Sequence, residues 1–585
     1  MSFLQPAPPP FDLDEYRTKP YLARLKANCQ DWAVNGFGSP GVVYLLYAVK
    51  LAIYVVGGFA VISATTSGVG GLGDIGDWWT RPIVFQKFAV WTLVWEILGI
   101  GSGSMQLAAR YGPIIGGVLY WLRPGTVRLP PWPDRAPFTR GTRRTPVDVA
   151  LYAGVLAAGI YLLLSDGEAY GPLAHGRLQP GAIAVLLGVW ALLGLRDKVS
   201  FLAGRPEIYG FLMVVSLFPA RNLIVGWQFV FLFIWWGAAS SKLNRHFPYV
   251  ISVMVSNTPW NRSRKVKAQL YERYPDDLRP GRPAVLGAHL GTAVEFGLPL
   301  VLMVSRGGTI TTLAVIGMIV FHAHITSTFA LGVPLEWNLF MIFGLLFLFG
   351  HYGSVPFSHL DNPLLIVVLV LIGVVIPVLG NLFPEKISFL PGMRYYAGNW
   401  ATSFWLFRKD TGAEERFDER SCKVAQITVE QLAKLYGREM ADYFSEKVLA
   451  FRGMHSHGRA LHALVARAVD DPDAYYVRDG EVISGLVNGW NFGDGHFHNR
   501  QLIEVVQEQC GFDGGELRVI VLESQPAHIQ RQRYRIYDAA TGLIEEGWVD
   551  VAEMVRRGPW LEESFEFPVE VIRRGERQPG QAAVV

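Results

Sequence analysis

The chain has 585 residues, of which 51% are hydrophobic and only 18% charged, and its mean hydropathy is +0.24. Soluble domains carry about 25% charged residues, so an ordinary globular protein does not describe the whole chain. A net charge of +3 is too small to argue for nucleic acid, and Cys29, Cys422 and Cys510 form neither a CxxC pair nor a disulfide framework.

Residues 1–40 are acidic and proline-rich before they turn basic, which is not the order of a cleaved signal peptide. Arg17, Lys19, Arg24 and Lys26 precede the first apolar run and predict a cytoplasmic N-terminal segment. Residues 41–384 read as a polytopic membrane domain. Ten spans are expected, near 41–64, 84–102, 147–165, 181–195, 207–219, 222–241, 284–304, 308–331, 335–351 and 363–384. Several are shorter than the roughly 20 residues that cross hydrocarbon upright.

With loops assigned alternately, Lys and Arg collect in 103–146, 196–206 and 242–283, and are scarce in 65–83, 166–180 and 352–362. The positive-inside rule then puts both termini in the cytoplasm. Within 103–146, an aromatic piece around Tyr120 and Trp121 followed by a proline-rich basic one suits either an interfacial segment or a surface loop packed on helix ends.

Titratable groups inside apolar helices are costly, about 2.5–3.5 kcal/mol each at bilayer depth, and therefore mark functional sites. Lys242 follows the small-residue helix end "GAASS". His289 and Glu295 lie in the next span, His322 and His324 in the one after, and Glu336 with Asn338 at the entrance to the following one. All fall in the cytoplasmic half, so one polar pocket is expected there, with Lys242, His289, Glu295, His322, His324 and Glu336 as catalytic candidates. His246, Asn338, Trp236 and Trp337 are the candidates for substrate contact. His322 and His324 diverge by about 200° on a helix, so only one can face a given seam. A metal is not expected from these residues, because the H-x-x-x-H and H-x-x-H-H boxes of membrane desaturases are missing. The sequence does not identify a cofactor.

Ser241-Lys242-Leu243, Glu295 through Pro299 and Trp337-Asn338 together resemble the membrane core of vitamin K-dependent gamma-carboxylases, bacterial horizontally transferred transmembrane proteins and lipase maturation factors. In the carboxylases a Lys and a His serve in vitamin K epoxidation, and the resemblance makes Lys242 a candidate for such a role. Over its whole length, including "GVLYWLRPGTVRLPPWP", the chain more closely resembles a family of actinobacterial multi-pass membrane proteins. That likeness implies the inner membrane and no particular activity.

Residues 385–585 read as a soluble cytoplasmic domain of α/β or α+β type. "EKISFLPGMRYYAGNWATSFWLFRKD" is expected along the bilayer surface, and strands are expected in "LRVIVLES" and "QRYRIYDAATGLIEEGWVDV". Thr428 and Gln431 suggest a capping box. The loop 489–499, with Gly489, Gly493 and Gly495 around Asn491, Asp494, His496, His498 and Asn499, suits a turn and helix cap better than an anion or ligand contact at the helix N-terminus. No Walker A or GxGxxG motif occurs. Two function classes follow. One is an enzyme acting on a lipid, quinone or isoprenoid. The other is a carrier or assembly factor for lipids or envelope components, with the soluble domain docking a protein partner.

Overall fold

In the computed structural model the described residues are 3–104, 116–171, 173–328, 335–395, 397–491, 495–556, 558 and 567–575. Among them, seven helices are long and apolar enough to cross a membrane: Gly41–Thr65, Pro82–Ser104, Pro146–Leu164, Ala220–Ser241, Arg282–Ser305, Gly308–Thr328 and Pro363–Leu382. The other three expected spans fall on shorter apolar helices, Pro180–Arg196, Pro206–Val215 and Leu335–His351. Residues 329–331, the end of one expected span, lie outside the described residues, as do Arg110, Gly493 and Asp494.

Proline opens several of these helices, at Pro82, Pro146, Pro180, Pro283 and Pro363, where its missing N–H costs nothing. Burial separates centre from periphery. The best apolar window of Pro82–Ser104 is 89% buried and that of Ala220–Ser241 72%, against 17% for Gly41–Thr65 and 28% for Arg282–Ser305. The outer helices expose Leu45, Leu46, Ile53, Leu286, Leu290, Leu313, Ile316 and Val320. Large apolar side chains exposed in this number along the long apolar helices suit hydrocarbon rather than water.

The C-terminal region carries a six-stranded antiparallel sheet. Its order is Val569–Arg574, Gly542–Asp550, Arg531–Asp538, Leu517–Leu522, Thr402–Arg408 and Tyr475–Asp479. The expected strands are present, and the antiparallel pairing with segregated helices is the α+β arrangement. Thr402–Arg408 is not the exposed interfacial segment expected. It is an inner strand, with Phe404 opposite Ile520 and Trp405 opposite Val519. Upstream, Leu390 and Met393 are buried. A Cβ at Gly237 would meet Met393 Cβ at 2.7 Å, so the small residues that end the Leu223–Ser241 helix make room for this segment. The capping box is also corrected. Ile427 occupies the N-cap of Thr428–Tyr436, and the Gln431 amide donates to the Gln426 carbonyl instead.

The N-terminal segment is woven into the C-terminal region. Asp31 pairs with Lys447 at 2.5 Å and accepts from Tyr443, while Arg24 pairs with Glu446 and Asp473. Trp32 Nε1 donates to the Val253 carbonyl at 3.1 Å, which ties the Tyr21–Asn35 helix to the short Phe247–Ser256 helix.

Candidate functional site

Glu295 sits four residues before Pro299 on the Arg282–Ser305 helix. A proline has no N–H, so the Glu295 carbonyl loses its ordinary helical donor and the helix is weakened at this point. Across the seam, Trp236 Nε1 donates to the Phe296 carbonyl at 3.1 Å and holds the Leu223–Ser241 helix against the weakened turn. Lys242, at the C-cap of that helix, reaches Glu295 Oε2 at 2.5 Å. Both side chains are buried, and the ammonium lies 5.4 Å from the Phe247 ring centroid and 5.9 Å from that of Phe321. The pair is thus an acid and a base in contact under an aromatic roof.

His322 is buried beside it. Trp235 Nε1, which can only donate, lies 3.0 Å from His322 Nε2, so Nε2 is the acceptor and Nδ1 carries the proton, donated to Asn338 Oδ1 at 2.8 Å. Both ring nitrogens are committed, which suits an orienting role better than proton transfer. Trp337 meets His322 edge-on at 5.8 Å and lies tilted against Tyr395 at 5.4 Å, and among the described residues its buried Nε1 has no hydrogen-bond partner.

The expected single pocket is corrected by these positions. His289 and His324 point outward and are exposed, His324 beside Trp260 at 6.4 Å. The divergence of His322 and His324 follows from their two-residue spacing. His246 leaves the membrane helices and faces the C-terminal region, where it bonds Ser456 Oγ at 2.7 Å and Gln525 Oε1 at 2.8 Å. Burial pushes its pKa down to about 4.

Glu336 belongs to a separate group. It pairs with Lys50 at 2.7 Å and accepts from Trp95 Nε1 and Ser102 N, both at 3.4 Å. Tyr395 links the two groups by donating to Glu207 Oε1 at 3.2 Å, and Arg205 pairs with Glu207 at 2.7 Å. Arg205 has φ +59°, a left-handed conformation that costs a non-glycine residue about 1–2 kcal/mol, and it opens a π-helical turn, Pro206–Gly210.

Lys50, Glu96, Arg205, Glu207, Tyr209 and Tyr395 were therefore missed by the sequence reading. Lys50 and Glu96 interrupt apolar runs as Glu295 does, so the same criterion would have found them. Arg205 falls in the basic 196–206 loop, where a charge is ordinary, and nothing local marks Tyr395. Among the described residues no three of His, Cys, Asp or Glu converge to hold a metal ion. In the described part of the 489–499 loop, Asn499 accepts from Gln501 N and caps the following helix, and His496 bonds the Glu385 carbonyl at 3.0 Å.

No curated protein and no solved structure matches the chain. One family model does, across residues 1–572, nearly the whole sequence. With long apolar helices around paired charges already in view, that match agrees with the architecture: the chain belongs to the family DUF3556, described as transmembrane proteins of unknown function.

Proposed function

We propose that this multi-pass membrane protein is an enzyme of the inner membrane that acts on a lipophilic substrate, a lipid, quinone or isoprenoid, at the Lys242–Glu295 pair. The single observation that carries the reading is this buried acid–base contact, 2.5 Å long, at a seam whose outer faces expose Leu286, Leu290, Leu313 and Ile316. A lipophilic molecule can approach such a seam laterally from the bilayer. Lys242 and Glu295 would exchange a proton with its polar head, His322 and Asn338 would fix the pocket wall, and Trp236 and Trp337 would line it. General acid–base assistance of this kind contributes about 10²–10⁴ in rate.

The test is rescue of a deletion strain, read by lipidomics. Glu295→Gln keeps shape and hydrogen bonds but cannot exchange protons. It should leave normal amounts of protein in the membrane and lose function about 100-fold or more. Full rescue by both Glu295→Gln and Lys242→Ala would sink the enzyme reading. It would favour the second one, a carrier or assembly factor, which draws support from His322 being engaged at both nitrogens.

The same reading puts both termini in the cytoplasm. In intact cells, single cysteines at Gly70 and Gly171 should react with a membrane-impermeant thiol reagent, and cysteines at Arg140 and Arg264 should not. Labelling of Arg264→Cys from outside would reverse the orientation.

A further inference from the structure

Away from the Lys242–Glu295 pair, the bundle interior holds a second set of charges. Lys50 pairs with Glu336, and Arg205 with Glu207. Glu96, near the end of the Pro82–Ile97 helix, is 5% exposed and lies within electrostatic reach of Glu336, Arg205, Lys50 and Glu207. Among the described residues Glu96 enters no ion pair of its own. Among the described residues three carboxyl groups therefore share two cations. An ionised carboxylate without a partner in a low-dielectric interior is far costlier than the neutral acid, so one of the three should hold a proton, and Glu96 is the one without a cation.

The surroundings fit a neutral acid there. A carboxylic acid has one O–H to donate and one carbonyl to accept. Among the described residues Glu207 Oε2, which accepts, and the Tyr209 hydroxyl, which can donate, are buried without a hydrogen-bond partner, and both groups lie within electrostatic reach of Glu96. Tyr209 is fully buried and in electrostatic contact with Glu96. Space for the group is built into the backbone: a Cβ on Gly101 would meet Glu96 Oε2 at 1.7 Å. Among the described residues the titratable groups that act electrostatically on Glu96 are Lys50 and Tyr54 from one helix, Arg205, Glu207 and Tyr209 at the π-helical turn, and Glu336 from the Leu335–Leu345 helix. Two cations this close make sodium a poor alternative ligand. Lys50, 20% exposed, gives the cluster its contact with the outside of the bundle.

We propose that Glu96 is a proton-binding site inside the membrane domain, holding its carboxyl in the acid form at neutral pH. This assignment does not depend on any activity of the Lys242–Glu295 pair.

Infrared spectroscopy of the full-length protein in phosphatidylcholine vesicles at pH 7 tests it. Wild type should show a protonated-carboxyl C=O band that shifts in D₂O. Glu96→Gln should lose one carboxyl's worth of that band per chain, whereas Glu295→Gln should lose none of it. Glu96→Asp, which keeps the acid, should move the band without removing it and serves if Glu96→Gln does not accumulate. Loss of carboxylate rather than acid bands in Glu96→Gln would overturn the proposal. So would a melting temperature that rises with sodium in wild type but not in Glu96→Gln, since that would assign a metal cation in place of the proton.

Discussion

Replacing Arg452 by Met should lower stability by about 3–5 kcal/mol, the usual cost of stranding one side of a buried ion pair. Arg452 is 2% exposed and reaches Asp479 Oδ2 and Glu481 Oε1, both at 2.5 Å, while its guanidinium lies 5.6 Å from the Trp400 ring centroid. Asp479 has a second task. It caps the Gly480–Asn488 helix by accepting from Glu481 N and Val482 N. Met fills the same volume but leaves two acids without their cation, so the loss is electrostatic rather than a cavity effect. For a region of about 200 residues, a loss of this size lowers the melting temperature by about 10 °C. Thermal denaturation of the full-length protein, followed by tryptophan fluorescence, reads this directly. Arg452→Lys, which keeps charge but not the forked geometry, should fall between wild type and Met. A shift under about 2 °C for Arg452→Met would mean that the acids are satisfied without it.

Hydropathy alone located the helices, because the signal for a span is its composition over about 20 residues and needs no tertiary information. The same logic failed where composition and packing diverge. Thr402–Arg408 is aromatic and follows a basic stretch, so it resembles an interfacial segment. Its burial depends on pairing with Leu517–Leu522, more than 100 residues away, which no local pattern reveals. The N-terminal segment is similar. Arg24 and Asp31 read as solvated charges until Glu446, Asp473 and Lys447 arrive from the other end of the chain.

At the candidate site the residue types were legible and the partners were not. Glu295, His322, Glu336, Asn338 and Lys242 are interior groups, as intramembrane polarity demands, but depth along a helix does not fix which face a side chain occupies. His289 is three residues from the buried Thr292 and yet is exposed, because a peripheral helix buries only a narrow stripe. Lys50 and Arg205 show the complementary error: a single charge in an apolar run, or next to a short loop, looks like an anchor until its partner acid is seen.

Acid should unfold the protein steeply just below neutrality. Four histidines, His246, His455, His457 and His462, are buried where the N-terminal segment, the His246 turn and the C-terminal region meet. Their contacts are to neutral groups: His455 Nδ1 to the Phe451 carbonyl at 2.8 Å, His457 Nδ1 to the Gly398 carbonyl at 3.3 Å, and His462 Nδ1 to the Tyr21 hydroxyl at 2.5 Å. Burial pushes His246 down to about 4 and His455 and His462 to about 3, and takes His457 well below its ordinary range, with His455 and Arg452 adding like charge. All four folded values lie below the unfolded value of about 6.5. Above that pH neither state binds these protons, and stability does not depend on them. Below it the unfolded chain takes up protons that the folded chain refuses. Each histidine then removes about 1.4 kcal/mol per pH unit until its folded value is reached, so the four together remove about 5 kcal/mol between pH 6 and pH 5. That is comparable with the total stability of many domains, about 5–15 kcal/mol. The paired carboxylates add their own loss only at lower pH. The melting temperature should accordingly be flat from pH 8 to about 6.5 and collapse by about pH 5. His457→Asn should reduce the slope by about a quarter, because one of four proton-refusing sites is gone. A wild-type melting temperature that holds to pH 5 would show that these rings accept protons in place, and the neutral, buried cluster would have to be abandoned.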